Sequence, residues 1–174
     1  HTIKDWNWII GVNLMGVIHG IRYFVPNMIT QETESHLVTT ASIMGLMMGM
    51  DAYSVTKHAV VALTEALHGQ VRNRTRKLKV SVFCPDFVRS GILYADRNRP
   101  EELKNEGNDE KSAAVLANLE TIRKMNAMAM DPEEAGEILF EGMNNGDFYI
   151  LTDKKSRMKK NIDVRIKRIQ KAFE

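Results

Sequence analysis

The sequence predicts an α/β fold built on a doubly wound parallel sheet. Two observations carry that expectation. Short β-branched apolar runs alternate along the chain with longer segments of helical apolar spacing. The helical segments are also long enough to cross over from one strand to the next, which implies a parallel sheet covered on both faces.

Taken in order, residues 2–30 place Ile9, Ile10, Leu14, Val17, Ile18, Ile21 and Val25 at helical spacing over a wide face, as a helix packed on a sheet requires. Pro26 predicts a break or fray near its end. Gly11, Gly16 and Gly20 weaken the helix and permit close approach of a neighbour. His36 to Ala41 reads as a short buried strand, followed by a Gly- and Met-rich loop from Gly45 to Asp51. From Tyr53 to about Asn73 the spacing is helical, with Val55, Ala59, Ala62, Leu63, Ala66 and Leu67 expected on the packed side. Leu78 to Cys84 alternates and is rich in β-branched residues, a second strand that Pro85 stops.

Residues 96–111 are dense in charge and contain Pro100 and Gly107, so a surface loop or frayed helix is expected, and 112–130 is helix-prone. Asp131-Pro132-Glu133-Glu134 has the order of a helix start, with Asp as cap, Pro first and Glu third after the cap. Asn144-Asn145-Gly146 ends that helix, and Phe148 to Leu151 is a third strand. The tail sets Ile162, Ile166, Ile169 and Phe173 on one face of a basic helix, an apolar stripe expected to dock on the body.

Composition narrows the classes. With 174 residues, 44% apolar and 26% charged, the chain is globular, one domain or part of a larger one. It begins at His1 rather than Met, so it is expected to start inside a longer reading frame. A net charge of +2 gives no general affinity for nucleic acid. Residues 154–174 nevertheless hold nine Lys/Arg against two acids. A single cysteine, Cys84, excludes a disulfide framework and fits a reducing compartment as an inert buried thiol. No uninterrupted apolar run approaches the roughly 20 residues of a membrane span, and no signal peptide is evident. A cytoplasmic location with no membrane partner is expected. No His spacing suits a metal, so none is expected.

The chemistry concentrates in Ser42-Ile43-Met44-Gly45-Leu46 and Tyr53-Ser54-Val55-Thr56-Lys57. Tyr53 and Lys57 lie four apart at a helix start and so share a face. Ser42 falls just beyond the end of a strand, where open α/β sheets place ligands. A phenol of pKa about 10 is a weak base at neutral pH, and a nearby ammonium draws it down. Met44, with Met47, Met48 and Met50, suits either a pliable apolar substrate wall or core packing. Tyr-x-x-x-Lys alone is a weak motif. The strand-closing serine before it and the strand ending in Cys84-Pro85 after it give it weight.

In these segments the chain resembles the short-chain dehydrogenase/reductase family over essentially residues 1–155, the C-terminal part of a Rossmann-like domain, with a lid-like insertion at about 90–130 and a basic helix at 156–174. Trp8 to Gly16 is similar to the helix carrying the family's active-site asparagine, here Asn13. Ser42, Tyr53 and Lys57 match the catalytic serine, tyrosine and lysine. Pro85-Asp86-Phe87-Val88-Arg89-Ser90 resembles the turn that meets the nicotinamide.

The resemblance implies an NAD- or NADP-dependent oxidoreductase acting on an alcohol, ketone or aldehyde. Tyr53 would be the general acid/base, Ser42 would orient the substrate oxygen, Lys57 would hold the ribose, and Asn13 would fix a relay water. Pro85, Asp86, Val88 and Ser90 would border the cofactor, and Ser42, Met44 and Tyr53 the substrate. Asp86 replaces the usual glycine and Ser90 the usual threonine. The glycine-rich phosphate turn and the Asn-Ala-Gly segment are expected upstream of His1, which leaves NAD and NADP undistinguished. The resemblance also implies a homodimer or homotetramer paired through the helices at 2–30 and 53–73. The alternatives are a non-catalytic binding protein of the same family and an interaction protein acting through its basic helix.

Overall fold

A computed structural model describes residues 1–49, 51–105, 120, 121, 123, 124, 126–152 and 158–174. Strands β1 (Ser35–Thr40), β2 (Leu78–Cys84) and β3 (Tyr149–Leu151) form one sheet in the order β1-β2-β3. Both pairings are parallel, with His36 opposite Lys79 and Val82 opposite Tyr149. Parallel neighbours need crossovers, and helices supply them. Helix α2 (Ala52–Arg72) joins β1 to β2, and α3 (Pro132–Asn145) precedes β3. Helix α1 (Ile3–Thr30) comes before β1, and α4 (Met158–Lys171) follows β3. β3 starts one residue later than the apolar run suggested; Phe148 packs its side chain on the core, and its carbonyl accepts from the Val82 N–H at 2.8 Å just ahead of the strand.

β2 is central and alternates between two cores. Leu78, Val80, Val82 and Cys84 meet the α1/α2 side, while Phe83 meets Ala135 of α3 and Ile150 of β3. A strand covered on both faces reads as a near-continuous apolar run, which is what made it visible. The covering of both faces is the doubly wound arrangement predicted. Gly142 lets α3 approach β3, since a Cβ there would lie 2.8 Å from two Ile150 side-chain carbons.

Helix α1 opens on a reciprocal cap: the Thr2 hydroxyl accepts from the Asp5 N–H (3.2 Å), and the Asp5 carboxylate accepts from the Thr2 N–H (2.7 Å). Residues Gly11–Met15 widen into a π-helical turn before the α-helix resumes at Gly16. Contrary to expectation, Pro26 does not break the rod, which runs on to Thr30. A proline removes one donor, and here it does so within the last turns, where the Thr30 hydroxyl donates to the Pro26 and Asn27 carbonyls. A Cβ at Gly11, Gly16 or Gly20 would meet nothing within 4 Å among the described residues, so these glycines serve no close approach there. The rod is also, by length and composition, long and apolar enough to cross a membrane. No unbroken apolar run marks it in the sequence, because Asn13, His19 and Arg22 interrupt the runs without shortening the helix. In this structure Leu14 and Val17 pack against the core beneath α2.

The packed face of α2 matches the one expected at Leu67 and, half-buried, at Ala59 and Leu63, and differs elsewhere. Val60, Thr64, Leu67 and Val71 face the sheet and Thr56 is buried with its hydroxyl bonded to Asn13 of α1, whereas Val55, Ala62 and Ala66 are exposed. The helix is apolar on two sides, and threonines occupy the buried one. Thr64 is tolerated there because its hydroxyl donates to the Val60 carbonyl (2.7 Å) and pairs with Thr39 (2.6 Å). After β2, residues Gly91–Asn98 and Glu101–Leu103 form tight 3₁₀ turns in place of the loop or frayed helix expected from 96 onward. Residues 106–111, most of the helix expected at 112–130, and Met50 lie outside the described residues. The α4 stripe docks only at its start: Ile162 is half-buried, but Ile169 is 50% and Phe173 88% exposed.

Candidate active site

Parallel strands bring their C-terminal ends to one edge, and the predicted site residues gather there. The ladder continues past β1 through Ala41 N–H to the Phe83 carbonyl (2.8 Å) and Ile43 N–H to the Pro85 carbonyl (2.9 Å). Ser42 is thereby held against the turn after β2, and its hydroxyl oxygen accepts from the Met44 N–H at 3.2 Å. Asp51 caps α2 by accepting from the Ser54 N–H at 2.7 Å. That cap fixes where Tyr53 and Lys57 emerge, one turn apart.

Ser42, Met44, Tyr53 and Lys57, together with Pro85, Asp86, Val88 and Ser90, line one cavity of about 530 Å³. Asn13 is the exception. It lies on the π-helical turn, behind the cavity wall, and donates from Nδ2 to the Thr56 hydroxyl at 3.2 Å. Thr56 in turn donates to the Tyr53 carbonyl at 2.8 Å. Asn13 therefore reaches the site through Thr56, a residue the sequence reading did not single out. Its signal was a threonine inside a helix, where the hydroxyl commonly bonds back to a carbonyl of the preceding turn.

The Lys57 ammonium sits over the face of the Tyr53 ring, 5.5 Å from its centroid, and donates to the Thr40 carbonyl at 3.1 Å. Burial holds the Lys57 pKa below its ordinary value, with the Cys84 thiolate form acting weakly the other way. The Tyr53 phenol is raised, not lowered. Burial raises it most, a hydrogen bond with Ser42 opposes, and Asp51 adds to the rise. The expected depression by Lys57 is absent because the ammonium addresses the ring face and the site is desolvated.

The turn after β2 is pinned from both sides. Val88 pairs with Met130 in an isolated parallel bridge, flanked by Met130 N–H to the Phe87 carbonyl (3.0 Å) and Arg89 N–H to the Met130 carbonyl (2.9 Å). Arg89 also pairs with Asp131, the cap of α3. Asp86, which stands where the family has glycine, turns a carboxylate oxygen onto the Phe87 N–H at 2.9 Å, and its own N–H donates to Thr152 at 3.0 Å. Ser90 caps the next turn by accepting from the Ile92 N–H at 3.4 Å. Ile92 and Met158 also border the cavity, and neither was expected.

Cys84 lies at the end of β2, fully buried, with burial pushing its thiol up to about 12. Alkylation with iodoacetamide at pH about 8 should leave Cys84 unmodified in the folded protein and modify it in denaturant, since the thiolate is the reactive form. Labelling of the native protein at the denatured rate would show that the strand end opens.

The fold and this cavity define an α/β protein of the doubly wound class with a candidate site at its C-terminal strand ends, and comparison with known proteins names the family. The sequence profile of the short chain dehydrogenase family matches residues 1–101. The chain belongs to the short-chain dehydrogenase/reductase family. It is 34% identical over 152 residues to a C alpha-dehydrogenase of Sphingobium sp. (strain NBRC 103272 / SYK-6), covering 86% of this chain and 48% of that protein. It is 28% identical over 152 residues to a CLA biosynthesis dehydrogenase/reductase of Lactiplantibacillus plantarum, with 86% and 53% covered. A short-chain dehydrogenase/reductase from Burkholderia phymatum, solved in complex with NAD, superposes with a TM-score of 0.87 at 36% identity, over 98% of this chain and 60% of that one. The chain spans about half the length of the curated relatives it matches.

Proposed function

We propose that this chain carries the catalytic side chains of an NAD(P)-dependent oxidoreductase interconverting an alcohol and a ketone or aldehyde. The observation that supports it is the convergence of Ser42, Tyr53 and Lys57 on one cavity at the C-terminal strand ends. The residues present suit a nicotinamide nucleotide. An ammonium has three donors, and Lys57 uses one on the Thr40 carbonyl, leaving two for ribose hydroxyls. Pro85, Asp86, Val88 and Ser90 would border the nicotinamide, which when bound supplies or accepts the hydride. The NAD bound in the Burkholderia phymatum relative supports the same cofactor class here.

In carbonyl reduction the neutral Tyr53 phenol donates its proton to the substrate oxygen, which the Ser42 hydroxyl holds in line. The phenolate left behind is stabilised by the hydrogen bond with Ser42, and burial favours its return to the neutral form. In alcohol oxidation Tyr53 must first be deprotonated. Asn13 holds Thr56, and through it the backbone of Tyr53, in place. Met44, Phe87, Val88 and Ile92 give the cavity an apolar wall and favour an apolar substrate. Ser90, Ile92 and Asn126 border the substrate side of the cavity, and the outer faces of α1 and α2 join copies into a homodimer or homotetramer.

The test is a pH profile of the full-length protein with NAD and with NADP, in both directions, on 1-phenylethanol and acetophenone. Because the Tyr53 pKa is raised, the oxidising form is scarce at neutral pH. Oxidation should therefore rise with pH well into the alkaline range, while reduction stays level and then falls. Oxidation that is level from neutral to strongly alkaline pH would remove Tyr53 from the role of base.

A further inference from the structure

We infer that Arg99 is a positioning residue for the substrate-side wall of the cavity, acting from outside it by clasping the start of α1; the inference rests on reading that cavity as the oxidoreductase site. The wall in question is the segment after Ser90. Ile92 borders the cavity, yet Ile92 and Tyr94 are each 55% exposed, so apolar burial does little to hold the Gly91–Asn98 turn. Polar bonds hold it instead. Arg97 folds the turn on itself by donating to the Gly91 (3.0 Å) and Tyr94 (2.7 Å) carbonyls.

Arg99 then ties the folded turn to a distant element. Its Nη2 donates to the Asp5 carboxylate at 2.6 Å and its Nε to the Leu103 carbonyl at 2.9 Å. Its guanidinium lies over the Trp8 ring, 4.9 Å from the centroid. The pair is largely withdrawn from water, with side chains 11% and 19% exposed. Three further bonds run alongside: Asn105 Nδ2 to Asp5 (2.9 Å), the Thr2 hydroxyl to Asn105 (2.7 Å) and Lys4 Nζ to the Lys104 carbonyl (2.9 Å). Burial alone would raise the Asp5 carboxyl, but the bonds from Thr2, Arg99 and Asn105 hold it well below the usual carboxylate range, so the pair is charged.

The partner helix matters as much as the bonds. Asp5 and Trp8 belong to the rod that carries Asn13, about 12 Å further along at 1.5 Å per residue. Asn13 bonds Thr56, and Thr56 bonds the Tyr53 carbonyl. The clasp therefore references the wall bearing Ile92 to the helix that backs Tyr53. Only a planar fork with a stacking face can meet a carboxylate, a carbonyl and an indole together, which an ammonium cannot do.

The test compares Arg99→Met, Arg99→Lys and the near-isosteric Asp5→Asn with the wild type in the full-length protein. Backbone hydrogen exchange should quicken about tenfold across residues 91–104 and stay unchanged across α2, as expected for local opening. In acetophenone reduction KM should rise about tenfold with kcat within about twofold, the pattern of lost ground-state positioning, and dinucleotide affinity should not move. Arg99→Lys should resemble Arg99→Met; full rescue by lysine would overturn the role of the fork. Unchanged exchange at 91–104 would overturn the clasp, and faster exchange with unchanged KM would overturn its part in substrate binding. Parallel loss of kcat and faster exchange in α2 would reduce Arg99 to general stability. A wild type inactive on every alcohol and carbonyl would instead count against the oxidoreductase reading, and the clasp would then stand or fall on exchange at Ile92 alone.

Discussion

Replacing Tyr53 with phenylalanine is expected to lower turnover by about 10²–10⁴-fold, the usual contribution of a general acid–base group, while dinucleotide affinity changes little. Three features make the phenol hard to replace. It is buried and raised in pKa, so it still carries the proton it must donate at neutral pH. Ser42 is within its hydrogen-bonding reach and Lys57 lies over its ring. Phenylalanine keeps the ring, and with it the contact to Lys57, so the loss isolates the hydroxyl. Steady-state kinetics with a parallel binding titration checks this. Turnover above about a tenth of wild type would move the proton to another group.

Gly45→Ala is the second large effect, and it acts through the backbone. A Cβ at Gly45 would lie 2.6 Å from the Lys57 carbonyl oxygen and 2.8 Å from its carbon. Both belong to the backbone of α2, which cannot swing aside as a side chain would. The Ile43–Gly45 turn and α2 must separate, and they carry Ser42 on one side and Tyr53 with Lys57 on the other. Overpacking of this kind costs roughly 1–3 kcal/mol. A displacement near 1 Å between catalytic groups can cost about 10²-fold in rate. Denaturant midpoint and kcat should therefore both fall. Gly69→Ala serves as the control, because a Cβ there meets nothing within 4 Å and alanine suits a helix interior better by about 0.5–1 kcal/mol. Wild-type behaviour of Gly45→Ala would mean that the loop and helix are not in contact in solution.

These expectations show where sequence was a sufficient guide. Ser42, Tyr53, Lys57 and the Pro85–Ser90 turn were legible because each sits at a strand end or a helix start, which local spacing places directly. The face of α2 was legible only in part, since Val55 and Ala62 read as core while Thr56 and Thr64 are what the core receives. Buried threonines become acceptable only once their hydroxyls find Tyr53, Val60 and Thr39, and those partners are known only after folding. The direction of the Tyr53 shift was illegible for a related reason: adjacency to Lys57 is a matter of spacing, but desolvation belongs to the assembled cavity. Arg99 and Asp5 are 94 positions apart, and no periodicity links them.

The π-helical turn at Gly11–Met15 sets the rotational phase of the first helix. Each residue of an α-helix advances the chain by about 100° around the axis, so one surplus residue in a widened turn offsets everything before it by that angle. Asp5 and Trp8 lie on one side of the offset, addressed to Arg99, and Asn13 lies within it, addressed to Thr56. Deleting one residue there would close the turn into ordinary α-helix without touching either group of contacts chemically. It would nonetheless swing Asp5 and Trp8 around the axis and out of reach of the guanidinium. An apparent irregularity in one turn thus works as a gear offset, letting a single rod face two partners that lie in different directions.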